Sequence, residues 1–193
     1  MIIHLIRHTA VAAPGICYGH HDVPLADTFA AEAAALRAKL PPAPAGGYRA
    51  FSSPAARCRA LADAVASGYA LDERLREMNF GAWENRLWAD LPRAETAPWM
   101  ADYVALAPPQ GETFGALQQR AVAFLAELAA APGAAAAAES PVLVFTHGGT
   151  IRALLCHCLE MPLRNAFRLR IDYASVTKIQ QQHGKWNVLA TNG

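Results

Sequence analysis

The sequence carries almost no excess of charge of either sign. Its 193 residues include 17 lysines and arginines against 16 aspartates and glutamates, which gives a formal net charge of +1. A protein that binds nucleic acid or an acidic membrane surface in a general way presents a strongly positive surface. The near-neutral balance therefore argues against both kinds of partner.

Long apolar runs are also missing, although hydrophobic residues, many of them alanine, make up 53% of the chain. No run approaches the roughly 20 residues that a membrane-spanning helix requires. Met1 leads directly into an apolar segment, without the basic region and the small-residue cleavage site of a secretory signal. We therefore expect no membrane association and a cytoplasmic location.

Cysteine is scarce, with only Cys17, Cys58, Cys156 and Cys158. In a cytoplasmic domain of this size we expect free thiols rather than disulfides. The segment Cys156-His157-Cys158 lacks the spacing of about two to four residues that is typical of zinc ligands. We therefore expect neither a metal site nor a cofactor.

What is present is an alternation of strand and helix patterns. Strands are predicted over 2–6, 48–51, 142–145, 167–171, 174–181 and 185–190, with a turn at His183 and Gly184. Helices are predicted over 28–40, over 113–131, over 148–159, and from Ser53 onward, with Ser53 as N-cap and Pro54 at the first helical position. Residues 10–26 and 131–140 are predicted loops. The alternation indicates an α/β fold. We expect a three-layer α/β/α sandwich with a mostly parallel sheet, helices on both faces and closing strands antiparallel at one edge.

Residues 69–112 are less regular and contain most of the tryptophans. We interpret them as a small cap of short helices and loops, inserted into a single domain that spans residues 1–193. The aromatic residues of this segment could pack the cap or contact a substrate, and the sequence does not distinguish these uses. They are Phe80, Trp83, Trp88, Trp99 and Tyr103.

Basic side chains follow three of the predicted strands. Arg7 and His8 end the first strand, and Arg57 lies in the helix after the second. His147 with Gly148 and Gly149 follows the strand over 142–145. Because ligands bind beyond the carboxyl ends of parallel strands, we expect these groups to meet. Arginine forks and free N–H groups at helix N-termini favour a phosphate-sized anion.

Each of these patterns has an ordinary explanation when it is taken alone. An Arg-His pair at a strand end is usually surface charge, and Ser53-Pro54 is a common helix start. A single histidine such as His147 more often caps a helix than catalyses a reaction. Their occurrence at successive strand ends is what indicates a functional site.

Five motifs, in this order, resemble those of the histidine phosphatase family, which has the phosphoglycerate-mutase-like fold. They are "LIRHTAV", "SSPAARC", "LREMNFGAWE", "PQGETF" and "VFTHGGTIRALL", and the resemblance extends over essentially the whole chain. The resemblance implies a metal-independent phosphomonoesterase that works through a phosphohistidine intermediate. A small-molecule phosphomonoester is the implied substrate.

The resemblance also implies the role of each site residue. His8 would be the nucleophile, while Arg7, Arg57 and His147 would hold the phosphoryl oxygens. Glu77 would protonate the leaving oxygen and then activate water. Glu84 is a nearby rival that looks structural in similar proteins. Gly148, Thr9, Tyr18 and Gly19 would add further contacts with the substrate or its phosphate.

Thr9 departs from the family pattern, which usually has glycine after the nucleophile. Together with "GICYGHHDVPL" and "FGAWE", this change resembles the α-ribazole phosphatase subgroup, which acts on a nucleotide precursor of cobalamin. Other interpretations remain open: a broad-specificity or sugar-phosphate phosphatase, a phosphoglycerate mutase, or an inactive phosphate-binding module. The sequence makes no prediction of oligomeric state.

Overall fold

A computed structural model describes residues 1–45, 47–131 and 141–193 of the chain. The strands of its central sheet are β1 (Ile2–Arg7), β3 (Arg49–Ser52), β4 (Ala70–Leu71), β6 (Val142–Thr146), β7 (Val176–Gln182) and β8 (Lys185–Ala190). They lie in the order β4-β3-β6-β1-β7-β8. The strands from β4 to β1 run parallel, whereas β7 and β8 are antiparallel to their neighbours. This arrangement confirms the mostly parallel sheet with an antiparallel edge.

Helices cover both faces of the sheet. Helices α1 (Phe29–Lys39) and α2 (Ala56–Val65) pack on one face, and α4 (Phe114–Ala130) and α5 (Gly148–Cys158) pack on the other. The position of β6 in the sheet explains why its sequence is continuously apolar. Val142 and Val144 face the α4 and α5 side, while Leu143 and Phe145 face the α1 and α2 side. Successive residues of a strand point to opposite faces, so a strand covered on both faces is apolar throughout. The three-layer α/β/α architecture is confirmed.

The segment between β4 and α4 makes up most of the part of the chain that the sequence predicts as a cap. It contains β5 (Arg86–Leu87), α3 (Arg93–Ala101) and several short 3₁₀ turns. Strand β5 pairs with β2 (Ile16–Cys17), so the segment 10–26, predicted as a loop, also contributes a short strand to the cap. Residues 70–71, which fall within the predicted cap segment, instead pair with β3 in the central sheet.

The predicted strand over 167–171 is wrong. Residues Leu163–Arg168 form a 3₁₀ helix. The carbonyl oxygens of Leu169 and Ile171 accept hydrogen bonds from the side chains of Arg152 and Arg7. Sheet pairing would require those carbonyls for a ladder. The backbone of this segment instead holds two arginine side chains.

The start of the second helix also differs from the prediction. Helix α2 begins at Ala56, because Ser53 still belongs to the edge of the sheet, where its N–H donates to Phe145 O at 2.9 Å. Strand β3 begins at Arg49, one residue after its predicted start, and β7 begins at Val176, two residues after its predicted start. The turn at His183 and Gly184 is confirmed, with both residues at positive φ. The predicted loop over 131–140 falls almost entirely outside the described residues.

All four cysteines are buried free thiols, as predicted. Within the described ranges, no helix is both long enough and apolar enough to cross a bilayer.

Candidate active site

The register of the parallel strands brings three chain segments together at one edge of the sheet. Arg7 lies opposite Thr146, and Ser52 lies opposite Phe145. Beyond these pairs, the N–H of His8 donates to Thr146 O at 3.0 Å. His8 and His147 are therefore neighbours, with ring centroids 5.2 Å apart. The predicted meeting of the strand ends is confirmed for these residues.

His8 is buried and has a defined tautomer. Its Nδ1 lies 2.8 Å from the carbonyl oxygen of Thr9. A carbonyl only accepts, so Nδ1 carries the proton and Nε2 of the neutral ring has a free lone pair. Burial and the positive charges of Arg57 and Arg7 hold the pKa of His8 well below its usual range. The ring is therefore neutral at neutral pH, the state in which a histidine can act as a nucleophile.

His147 is also buried and neutral, but both of its nitrogens are engaged. Nδ1 lies 3.2 Å from Nη2 of Arg57, and Nε2 lies 2.8 Å from the hydroxyl of Ser53. A guanidinium only donates, so Nδ1 accepts and Nε2–H donates to Ser53. Burial, with Arg57 and His8 nearby, holds the pKa of His147 well below its usual range. His147 can bind a phosphoryl oxygen only by exchanging one of these partners.

Arg57 supplies buried positive charge beside both histidines. Its side chain is fully buried, and it donates to Gly19 O at 2.6 Å and to His21 O at 3.1 Å. Gly19 itself packs against Met78, where a Cβ would overlap the Met78 carbonyl oxygen. The loop over 19–21 therefore orients Arg57 toward the histidines.

Arg7 is held from the opposite side. Its Nη1 donates to Ile171 O at 2.6 Å, and its guanidinium carbon lies 3.7 Å from the ring centroid of Tyr173. Its Nε is buried without a partner in the part of the chain that the structure describes. A buried N–H without an acceptor is costly, so this donor is suited to an incoming anion.

Glu77 lies against the first turn of α5. Its Oε2 accepts from the N–H of Gly149 at 2.9 Å, and its Oε1 accepts from the N–H of Met78 at 3.0 Å. A Cβ on Gly149 would overlap Oε1 of Glu77, so a larger residue here would displace the Glu77 carboxylate.

The expected free N–H groups at the two helix starts are therefore partly occupied. Glu77 takes the N–H of Gly149, and Asp22 takes the N–H of Ala56 at the start of α2. The positive end of each helix faces a carboxylate of the protein itself. The arginine side chains thus supply most of the attraction for an anion.

Glu84 is arranged differently from Glu77. Its carboxylate accepts hydrogen bonds from the backbone N–H groups of His20, His21 and Phe80. It therefore joins the loop over 19–21 to the cap, and it is not among the residues that line the cleft described below. This arrangement favours Glu77 over Glu84 as the acid.

A profile of the Histidine phosphatase superfamily (branch 1) matches residues 3–193. The chain belongs to the histidine phosphatase superfamily. The adenosylcobalamin/alpha-ribazole phosphatase of Salmonella typhimurium is 29% identical over 181 residues, which cover 89% of this chain and 86% of that protein. The alpha-ribazole phosphatase structure from Shigella flexneri has a TM-score of 0.87 at 26% identity, covering 100% of this chain and 96% of that one. A mycobacterial glucosyl-3-phosphoglycerate phosphatase shares the fold, with a TM-score of 0.82 at 24% identity, covering 100% of this chain and 98% of that one. The chain is a phosphatase, which confirms the predicted enzyme class.

The site of this phosphatase opens into a cleft that is partly open to solvent. Its polar lining is Arg7, His8, Tyr18, Glu77 and Arg152, and its aromatic lining includes Phe80, Trp88, Trp99, Tyr103, Phe114 and Phe167. The other predicted site residues, Arg57, His147, Gly148, Thr9 and Gly19, are buried and are not among the residues that line the cleft. Of the cap aromatics, Trp83 is buried and donates to Glu95 instead.

Two polar residues of the cleft region, Arg152 and Tyr173, were not among the site residues predicted from the sequence. Arg152 lines the cleft, and its Nε donates to Leu169 O at 2.8 Å. Tyr173 supports Arg7, and its hydroxyl lies 3.0 Å from that of Tyr18. Arg152 stands one helical turn after Gly148 in the same motif, and this spacing could have identified it. Tyr173 carries no such signal.

Within the described ranges, no group of three His, Cys, Asp or Glu side chains is placed to hold a metal ion.

Proposed function

We propose that this phosphatase hydrolyses a phosphate monoester in two steps, through a phosphohistidine on His8. The observation that supports this most directly is the tautomer of His8. Its Nδ1–H is tied to Thr9 O at 2.8 Å, which leaves the Nε2 lone pair free beside the guanidinium groups of Arg7 and Arg57. Attack on a phosphate dianion requires a nucleophile with a free lone pair and positive charge that the protein holds close to it.

In the first step, Nε2 of His8 attacks phosphorus and the ester P–O bond breaks. Glu77, in its protonated form, gives its proton to the leaving oxygen, so that the product departs as an alcohol. The electron pair of the broken bond stays on that oxygen. The phosphoryl group is then attached to Nε2, while Nδ1–H still donates to Thr9 O.

In the second step, the Glu77 carboxylate takes a proton from a water molecule as the water oxygen attacks phosphorus. The P–N bond breaks and its electron pair returns to Nε2 of His8. Inorganic phosphate leaves, and Glu77 is again protonated for the next cycle. Splitting the hydrolysis in this way is the advantage of covalent catalysis.

Positive charge for both steps comes from the protein itself. Arg7 and Arg57 hold the phosphoryl oxygens, and His147 joins them by exchanging Ser53 for a phosphoryl oxygen. Gly148 lets two arginines come close, since a Cβ there would lie 3.0 Å from Nη1 of Arg152 and 3.2 Å from Nε of Arg7. Thr9 and Gly19 contribute carbonyl oxygens that orient His8 and Arg57, and Tyr18 borders the cleft.

For the substrate, we propose α-ribazole 5′-phosphate, in the cytoplasmic assembly of the cobalamin nucleotide loop. The similar proteins of Salmonella typhimurium and Shigella flexneri carry this activity in their names. The cleft has aromatic side chains above His8, including Trp88 and Trp99. An apolar base gains by leaving water for such a surface, while the ribose 5′-phosphate reaches His8.

Arg152 supports a second candidate, a phosphatase for sugar phosphates or other polar monoesters. Its guanidinium lines the cleft and can hydrogen-bond a hydroxyl or carboxylate of the substrate. The glucosyl-3-phosphoglycerate phosphatase, which shares the fold, carries a phosphorylated sugar derivative as substrate in its name.

The mechanism is tested by trapping the intermediate. Rapid acid-free quenching with a ³²P-labelled monoester should label the wild-type chain on histidine, and His8→Ala should remain unlabelled and inactive. Circular dichroism controls for folding of the variant. Activity of folded His8→Ala within about tenfold of wild type, a barrier change of only about 1.4 kcal/mol, would exclude His8 as nucleophile.

The substrate is tested by kcat/KM for α-ribazole 5′-phosphate, AMP, a sugar phosphate and 3-phosphoglycerate. We expect the first to be best, because only its base is both aromatic and apolar. A higher value for the sugar phosphate would favour the second candidate and would leave the phosphohistidine chemistry intact.

A further inference from the structure

The segment that carries Glu77 is held mainly by hydrogen bonds from side chains. Residues 76–79 lie outside the regular strands and helices. The carbonyl oxygen of Leu75 nevertheless accepts from Thr146 Oγ1 at 2.7 Å, and that of Arg76 accepts from Thr150 Oγ1 at 2.8 Å. These two threonines flank His147, so the acid segment is tied to the histidine motif.

Arg120 of α4 provides the largest share of these bonds. Its Nη1 donates to Arg74 O at 2.8 Å and to Arg76 O at 2.7 Å, and its Nη2 donates to Glu77 O at 2.9 Å. A single side chain thus binds three carbonyl oxygens within four residues.

Glu112 occupies the remaining donors of the same guanidinium. It accepts from Nε of Arg120 at 3.1 Å and from Nη2 at 2.6 Å. It also accepts from the backbone N–H of Asn79 at 2.9 Å. All five N–H bonds of the Arg120 guanidinium are therefore used, and the ion pair holds both ends of the segment around Glu77.

We propose that Arg120, fixed by Glu112, is a positioning residue that holds Glu77 at the leaving-group side of the cleft. This inference rests on the proposed role of Glu77 as the general acid. Arg120 touches the backbone of Glu77 and not its carboxylate, so it acts through the position of that carboxylate. General acid catalysis depends steeply on that position, because the proton must be within hydrogen-bond reach of the leaving oxygen. Lysine cannot replace Arg120, because a single ammonium group cannot form the five hydrogen bonds that the guanidinium forms.

The test compares a monoester that needs the acid with one that does not. An alkyl phosphate has a poor leaving group and requires the proton, whereas 4-nitrophenyl phosphate does not. For Arg120→Lys we expect kcat/KM on the alkyl phosphate, which reports the steps up to departure of the leaving group, to fall by about ten- to a hundredfold. We expect kcat/KM on 4-nitrophenyl phosphate to stay within about threefold of wild type. A uniform loss on both esters, or no loss on either, would overturn the inference.

Arg74→Lys is the matched control. Arg74 lies just before residues 76–79. Its side chain pairs with Asp72 and Glu127 and not with those residues. We expect this variant to keep the wild-type ratio of the two activities. The same shift in ratio from Arg74→Lys would show that general loosening of the segment is responsible, and would overturn the specific role of Arg120.

Glu77→Gln separates failure of this inference from failure of the proposed function. If Glu77 is the acid, Glu77→Gln selectively loses the alkyl phosphate, and adding Arg120→Lys changes the ratio little further. If Glu77→Gln affects both esters equally, the proposed acid role fails and the inference fails with it. If Glu77→Gln is selective but Arg120→Lys is not, only the inference fails. Glu112→Gln provides a second route should Arg120→Lys not fold, with the same selective loss expected.

Discussion

At the scale of single residues, burial controls the state of the histidines. His8 and His147 are buried at the site and remain neutral, each with one tautomer set by its partners. His4, on the strand that leads to His8, is 4% exposed and serves no proposed step. Burial, together with the charge of Lys178, lowers the pKa of His4 to about 4. All three histidines link folding to pH.

We predict that His4→Gln reduces the acid sensitivity of folding. The unfolded chain binds a proton on His4 at about pH 6.5, while the folded chain binds it only near pH 4. Neutral His4 therefore costs the folded state nothing at neutral pH. The free energy of unfolding decreases as the pH falls from about 6.5 to about 4. Between pH 7 and pH 5 the loss is about 2 kcal/mol of unfolding free energy.

The measurement is urea unfolding of wild type and His4→Gln at both pH values. His157→Gln, a change of an exposed histidine on α5, is the control and should behave as wild type. If His4→Gln loses as much stability as wild type between pH 7 and pH 5, the linkage assigned to His4 is wrong.

At the scale of elements, the site depends on how closely α5 approaches the segment of Glu77. Gly149 makes this approach possible, because it donates its N–H to Oε2 and has no Cβ to displace Oε1. The short 3₁₀ helix over Leu163–Arg168 helps to position other side chains of the site. It leaves the carbonyls of Leu169 and Ile171 free to orient Arg152 and Arg7.

We predict that Gly149→Ala impairs the acid step more than folding. The added methyl group must push the Glu77 carboxylate away from its place at the helix start. We expect kcat/KM for an alkyl phosphate to fall at least tenfold, about 1.4 kcal/mol of transition-state stabilisation, with a smaller loss for 4-nitrophenyl phosphate.

Gly68→Ala provides the control, because a Cβ at Gly68 meets nothing within 4 Å. That variant should keep wild-type activity on both esters. Wild-type activity of Gly149→Ala on the alkyl phosphate would contradict the assigned place of Glu77.

At the scale of the whole molecule, the fold concentrates positive charge that the composition does not show. The chain is nearly neutral overall, yet Arg7 and Arg152 both line one cleft, with Arg57 buried behind them. The parallel strands explain this difference, since they direct their carboxyl ends, with the side chains that follow them, to one edge. A phosphate monoester can therefore be bound without a strongly basic surface.

Activity should survive removal of divalent cations. The proposed charge stabilisation comes from arginine side chains, so prolonged treatment with EDTA is expected to leave kcat for 4-nitrophenyl phosphate unchanged. An equimolar non-chelating buffer controls for ionic strength. Loss of activity with EDTA, restored by added Mg²⁺ or Zn²⁺, would show that the proposed mechanism is wrong.

The sequence by itself determined the layered fold and the meeting of Arg7, His8, Arg57 and His147. Apolar periodicity and strand order are local properties of the chain, and parallel pairing then places successive strand ends side by side. The motifs, by their resemblance to the histidine phosphatases, added Glu77 as a candidate that no local pattern would have distinguished from the other carboxylates.

Only the tertiary structure decided how these groups are held. The five hydrogen bonds of Arg120, the place of Arg152 in the cleft and the packing of Tyr173 on Arg7 join residues that are far apart in the sequence. Such contacts depend on where helices and irregular segments pack, which no short-range pattern encodes. The N-termini of α2 and α5 also show what the sequence did not determine. The sequence predicted that their N–H groups are free to bind an anion. Folding instead places Glu77 and Asp22 there, since a carboxylate is stabilised by the unpaired N–H groups of a first helical turn.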